Sequence, residues 1–151
     1  MGVHNLGENS RWTVLSSGTF INQLTIGGTA AGVVFAGDYE YHMAVFVGTV
    51  GNNGTLAVWG CTNSAGSSPQ LIQSVSFGSG SGVPAIEIKS DVLSTLNQPG
   101  STYTHITASG TVESSGTWRG ALAILSTWPR NYGGSATTFG SYLAYGTAGL
   151  L

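Results

Sequence analysis

Few residues in this 151-residue chain can carry chemistry: three histidines (His4, His42, His105), six carboxylates (Glu8, Asp38, Glu40, Glu87, Asp91, Glu113) and the thiol of Cys61. One spacing among them has chemical meaning. Asp38, Glu40 and His42 alternate, so on a strand they project from one face as two oxygen ligands and one nitrogen ligand, donor types that suit a divalent cation. Three ligands on a flat strand leave the coordination shell incomplete. The simpler reading is a solvated outer face at the start of a strand whose other face is core, and neither a metal nor a cofactor is expected.

Nucleophilic and acid–base chemistry find no motif. The sequence holds no GxSxG elbow, HExxH, Walker A or CxxC pattern. With 19 serines, a Ser-His-Asp triad has no spacing signature to recognise, because its members lie far apart in any chain. No two carboxylates are placed to face each other across a sugar ring, as a glycosidase needs. The run 78–82 (GSGSG) lacks both the GxGxxG spacing and a following helix, so it reads as a loop and not a phosphate cradle. Trp59, Trp118 and Tyr103 could form a sugar-stacking platform, but the preferred reading is core residues of a sandwich. Cys61 follows Val58 and Trp59 with no cation nearby to hold a thiolate, which predicts a buried, inert thiol. The chain reads as non-enzymatic.

The elements that must position these residues have a period of two. In 39–49 (YEYHMAVFVGT), Tyr39, Tyr41, Met43, Val45 and Val47 share one face and Glu40, His42, Ala44 and Phe46 the other. The turn signal Asn53-Gly54 then separates this run from 55–61 (TLAVWGC) and predicts a hairpin. Further strands are expected over 19–26, 30–35, 70–77, 84–89, 101–112 and 117–126. A short helix is expected near 90–97, capped by Ser90 and ended by Pro99-Gly100, with Val92, Leu93 and Leu96 as its apolar stripe. Many short strands with turns every 8–12 residues predict an all-β chain, an antiparallel β-sandwich of jelly-roll-like form with extended terminal arms. The expected core is Val45, Val47, Leu56, Val58, Leu71, Val75, Ile86, Ile88, Leu93, Leu122 and Ile124.

Composition narrows the class. Charged residues are 7 % of the chain, against about 25 % in an ordinary soluble domain, and Gly, Ser and Thr supply 60 of the 151 residues. A net charge of −2 without a basic run argues against nucleic acid as a partner. No stretch approaches the ~18–20 apolar residues of a membrane helix, and the start carries no signal-peptide pattern. Residues 1–12 read as an N-terminal arm, 13–128 as one sandwich domain, and 129–151 as a C-terminal arm or edge strand. That last segment is rich in glycine yet carries Tyr132, Phe139, Tyr142, Leu143 and Tyr145, a set too apolar to leave in water, so these five are the candidate partner-interface residues.

The order of segments resembles a known family. A long apolar strand (YHMAVFVGTV) leads through a turn to TLAVWGCTNSAGSS. IEIKSDVLSTL, YTHITASGTV and ALAILSTWPRNYG follow. Over residues 39–132 this pattern is similar to the small β-sandwich decoration or cement proteins of tailed bacteriophages. The uncharged loop TNSAGSS and the long segment after Arg130 depart from it. The resemblance implies a virion structural protein on the outer capsid surface that stabilises the shell by bridging subunits. Its implied partners are the major capsid protein and other copies of itself, as a dimer or trimer. The alternative is a carbohydrate-binding module of a phage tail or fibre.

Overall fold

The computed structural model describes residues 10–21, 32–50, 53–78, 82–112 and 117–129, with side chains at 16–21, 49–50, 112 and 117–118 outside that description. Among the described residues eight strands run in chain order: β1 Ser10–Ile21, β2 Val34–Phe35, β3 Tyr39–Val50, β4 Gly54–Cys61, β5 Gln70–Phe77, β6 Ala85–Lys89, β7 His105–Val112 and β8 Thr117–Pro129. Two 3-10 segments join them, η1 Ala36–Asp38 and η2 Ser90–Leu96. The strands form two antiparallel four-stranded sheets, ordered β1-β8-β3-β6 and β2-β7-β4-β5. That order is the double Greek key of an eight-stranded jelly roll.

Alternation along each strand builds the core between the sheets. Ala44 and Phe46 of β3 stand in register with Ile124 and Leu122 of β8, and Ile86 of β6 pairs with Ala44. Leu56, Val58, Ile106 and Ala108 supply the opposing layer, with Leu93 of η2 and Tyr103 closing one end. Each large aliphatic or aromatic buried there contributes about 1.5–3 kcal/mol of transfer free energy.

The topology corrects several expectations. Asn53-Gly54 does not close a hairpin: β3 pairs with β6 and β8, whereas β4 pairs with β5 and β7. The β3–β4 connection crosses from one sheet to the other, so both strands keep two neighbours of their own. β1 begins at Ser10, inside the stretch read as an arm, and β2 is only two residues long. Val47, Leu71 and Val75 are exposed. Val47 alternates out of the core between Phe46 and Gly48, and Leu71 and Val75 lie on β5, an edge strand with only β4 beside it. Val45 is buried, but in register with Ala123 and Ala85 on the outer side of the first sheet. The remaining expected core residues are buried as read. Ser90 does not cap its helix. Lys89 holds the cap position and makes no side-chain cap bond, while the Ser90 hydroxyl turns inward.

Glycine is obligatory at one place in the β3–β8 ladder. Gly48 and Gly120 face each other, both at φ +149°. A Cβ on Gly48 would lie 2.0 Å from the Arg119 carbonyl oxygen, and one on Gly120 2.0 Å from that of Val47. Only a residue without a side chain allows the strands to approach so closely.

Candidate functional site

His42 is the one histidine sealed inside the sandwich among the described residues, at 1 % exposure. The period of β3 puts it in step with Ala44 and Phe46 on the core face, so the solvated-face reading of His42 is overturned. Its Nδ1 lies 2.8 Å from Ser126 Oγ on β8, and its Nε2 lies 2.9 Å from Ser90 Oγ and 3.2 Å from the Ala36 carbonyl. The Ser90 hydroxyl donates to the Tyr39 carbonyl at 2.6 Å, with the Ala36 carbonyl at 3.0 Å.

A serine beside a histidine, with a third hydroxyl behind it, has the outline of an activated nucleophile. The proton inventory assigns it otherwise. The carbonyls of Ala36 and Tyr39 only accept, so the hydrogens facing them come from Nε2 and Ser90 Oγ. Nε2 is therefore the protonated nitrogen and cannot take a proton from Ser90, while Nδ1 accepts from Ser126. The network ties β3, β8, η1 and η2 together at one end of the core. Periodicity alone would have marked His42 as inward-facing, but its partners lie 48 and 84 positions away and no local pattern announces them.

The proposed cation ligands do not meet. Asp38 sits in η1. Glu40 points outward to Lys89, 3.3 Å away, with Asp91 on the far side of the same ammonium at 3.7 Å. The Glu40 hydrogen bond and charge raise the Lys89 pKa. No group of three or more His, Cys, Asp or Glu able to hold a metal occurs among the described residues. Cys61 is buried, and desolvation pushes its thiol up to about 11. His105 packs edge-on against Phe35 at 5.3 Å, and partial burial lowers its pKa below the ordinary 6.5.

The aromatic platform is not assembled either. Tyr103 is enclosed in the core, whereas Trp59 lies on the other side of its sheet and donates Nε1–H to Ser109 Oγ at 2.9 Å. The Trp118 side chain lies outside the described residues, as do residues 132–145 with Tyr132, Phe139, Tyr142, Leu143 and Tyr145. A shallow cleft of about 280 Å³ opens between η1, η2 and the 97–104 loop, with Phe35, Asp91, Ser94 and Asn97 among its walls.

A different surface stands out. On the outer side of the β1-β8-β3-β6 sheet, Trp12, Leu125 and Met43 form one cross-strand row, Val14, Ala123, Val45 and Ala85 the next, and Ala121 with Val47 a third. Trp12, Val14 and Val47 are 47 %, 59 % and 51 % exposed. Glu87 and Lys89 stand at the β6 edge of this face. Ala123 and Val45, at the centre of these rows, are only 5 % exposed, so the open apolar part of the face is its margin at Trp12, Val14 and Val47. The residue pattern hides this set, because Trp12 falls in the stretch read as an arm and Val47 among the expected core residues.

No family model matches the chain, and no curated protein matches it. Solved structures with a similar course include PirA, at 5 % identity and TM-score 0.36 over 79 % of this chain and 93 % of that one. The tobacco streak virus coat protein has 8 % identity and TM-score 0.38 over 81 % of this chain and 88 % of its own. The VP2 subviral particle of infectious bursal disease virus has 10 % identity and TM-score 0.37 over 82 % of this chain, which spans 33 % of the VP2 chain. Likenesses of this size carry no weight for function.

Proposed function

We propose that this chain is a non-enzymatic structural protein of a virion. In its finer form, the proposal is that it decorates the outer surface of a bacteriophage capsid and stabilises the shell by bridging capsid subunits. The observation that carries the reading is the exposed apolar set Trp12, Val14 and Val47 on the outer side of the β1-β8-β3-β6 sheet, set on a jelly roll whose buried histidine network serves the fold. A chain with 7 % charged residues loses little solvation when its surface is covered, which suits a permanent assembly. The resemblance of residues 39–132 to decoration proteins supports the same direction, with the major capsid protein and further copies of this chain as partners.

The test uses capsids of the cognate phage stripped of this protein. Added back, the chain saturates a fixed number of outer-surface sites by cryo-electron microscopy and raises the temperature at which DNA escapes. Absence from the head, or binding without any effect on DNA release, overturns the reading. A carbohydrate-binding role is the second reading, supported by the cleft beside the half-exposed ring of Phe35, where Ser94 and Asn97 offer polar groups. Saturable binding to a glycan array that Phe35→Ala abolishes would favour it.

A further inference from the structure

We infer that β5 is an assembly edge, through which two copies of this chain join their β2-β7-β4-β5 sheets by antiparallel strand pairing. The inference rests on the structural-protein reading and names the strand that joins copy to copy. The four sheet edges are not alike. β2 is two residues long, and β6 carries Glu87 and Lys89 within five residues. β1 carries Arg11 and an irregularity between Val14 and Ser16. Short strands, charges and bulges are the devices that keep an edge from pairing with another chain. β5 has eight residues, QLIQSVSF, with neither a charge nor a proline. Its one irregularity lies opposite Val58 and Trp59 and leaves 73–77 regular. No Asp, Glu, Lys or Arg occurs between Glu40 and Glu87. Among the described residues nothing pairs with the outer side of β5, so alternate residues turn their backbone N–H and C=O away from β4.

The edge is open at its centre, where Gln73, Ser74, Val75 and Ser76 are all exposed. Val75 stands in register with the core residue Leu56, on the inner side of its sheet, yet keeps 36 % of its surface. The reason is the offset of the two layers. β6 of the opposite sheet touches both β4 and β5, so it lies over the gap between them and β5 projects past it. A second copy supplies the missing neighbour. A two-fold axis normal to the sheet at Val75 sets Val75 opposite Val75, Ser74 opposite Ser76 and Gln73 opposite Phe77. Opposed residues of an antiparallel pair share a face, so valine meets valine on the inner side and serine meets serine on the outer. Five such pairs add about four to six backbone hydrogen bonds. Strand addition of this kind takes its affinity from the main chain and its register from the alternating side chains. No like charges meet, because the strand has none.

The experiment is cysteine cross-linking joined to sedimentation velocity, both on the full chain. Directly opposed residues of an antiparallel pair have Cα atoms about 4.5–5.5 Å apart, within reach of a disulfide. Val75→Cys should therefore give, on mild oxidation, a covalent dimer of twice the 15.4 kDa chain mass. Leu71→Cys, exposed on the same strand, should not, because its two copies stand about 26 Å apart in this register. The native Cys61 is buried and takes no part. In sedimentation from 1 to 100 µM the wild type should reach a dimer. Val75→Lys sets two ammonium groups against each other at the axis and should stay a folded monomer, with unchanged far-ultraviolet circular dichroism. A wild type that stays monomeric at 100 µM overturns the inference, and so does a Val75→Lys variant that dimerises. Equal cross-linking of the two cysteine variants also overturns it, and decides the matter if Val75→Lys fails to fold. None of these readouts uses capsids, so the inference can fail while the decoration reading holds.

Discussion

Replacing His42 with alanine tests whether the buried network holds the sandwich together. The imidazole reaches Ser126 Oγ at 2.8 Å, Ser90 Oγ at 2.9 Å and the Ala36 carbonyl at 3.2 Å. Without it, the Ser126 hydroxyl, fully buried on β8, loses its acceptor. The single Ser90 hydrogen must then serve the Ala36 and Tyr39 carbonyls alone. Each stranded buried polar group costs about 1–3 kcal/mol. The space left by the ring adds about 2 kcal/mol in a close-packed interior. With two groups stranded the sum is about 4–8 kcal/mol, a large part of the 5–15 kcal/mol total of an ordinary domain, and corresponds to a melting point lower by about 8–32 °C. Urea unfolding followed by tryptophan fluorescence measures it. Ser126→Ala should cost about 1–3 kcal/mol on its own, and the double variant should show a coupling of about 0.5–3 kcal/mol. Two single substitutions that each cost under about 1 kcal/mol, or that simply add, would refute the assignment. So would a Ser90→Ala variant of unchanged stability that had lost an esterase activity present in the wild type.

Gly48→Ala should split the β3–β8 ladder, because the new methyl would sit 2.0 Å from the Arg119 carbonyl at φ +149°; insoluble expression is expected, and a wild-type melting curve would contradict it. The Cys61 thiol, buried and raised to about 11, should resist dithionitrobenzoate in the native protein and react fully in 6 M guanidinium. His105 has its pKa lowered by burial, so the unfolded chain takes up a proton that the folded chain resists. Stability should therefore be full above about pH 6.5 and decline as the pH falls below it. His105→Gln should remove part of that decline in melts run from pH 7.5 to 5.

Much of the fold is legible in residue order. β3, β4, β5 and β6 follow from runs whose apolar residues recur at a spacing of two, and the 3-10 helix from Val92, Leu93 and Leu96 before a Pro-Gly stop. Pairing is less legible. An Asn-Gly dipeptide specifies how a backbone reverses, not whether the strands it joins share a sheet, and in this jelly roll they do not. Inner and outer faces are also confused wherever both are apolar. Trp12 and Val14 alternate with Thr13 and Leu15 and face outward, while the polar His42 faces inward. Such assignments depend on partners such as Ser126 and Ser90, which distance along the chain hides.

Among the described residues β1 pairs with β8, and that pairing sets the order in which the described strands can come together. Even the sequence-nearest pair of that ladder, Ile21 with Thr117, is separated by more than ninety residues. During synthesis β1 emerges before the other described strands, and its hydrogen-bonding partner β8 after them. The middle strands β4, β5 and β7 can find one another earlier, so the second sheet forms ahead of the first. Insertion of β8 between β1 and β3 then closes the first sheet in a late, high-contact-order step, on the millisecond-to-second timescale of such topologies. Until that step the rows that run from Trp12 across β8 to Met43 do not exist as a surface.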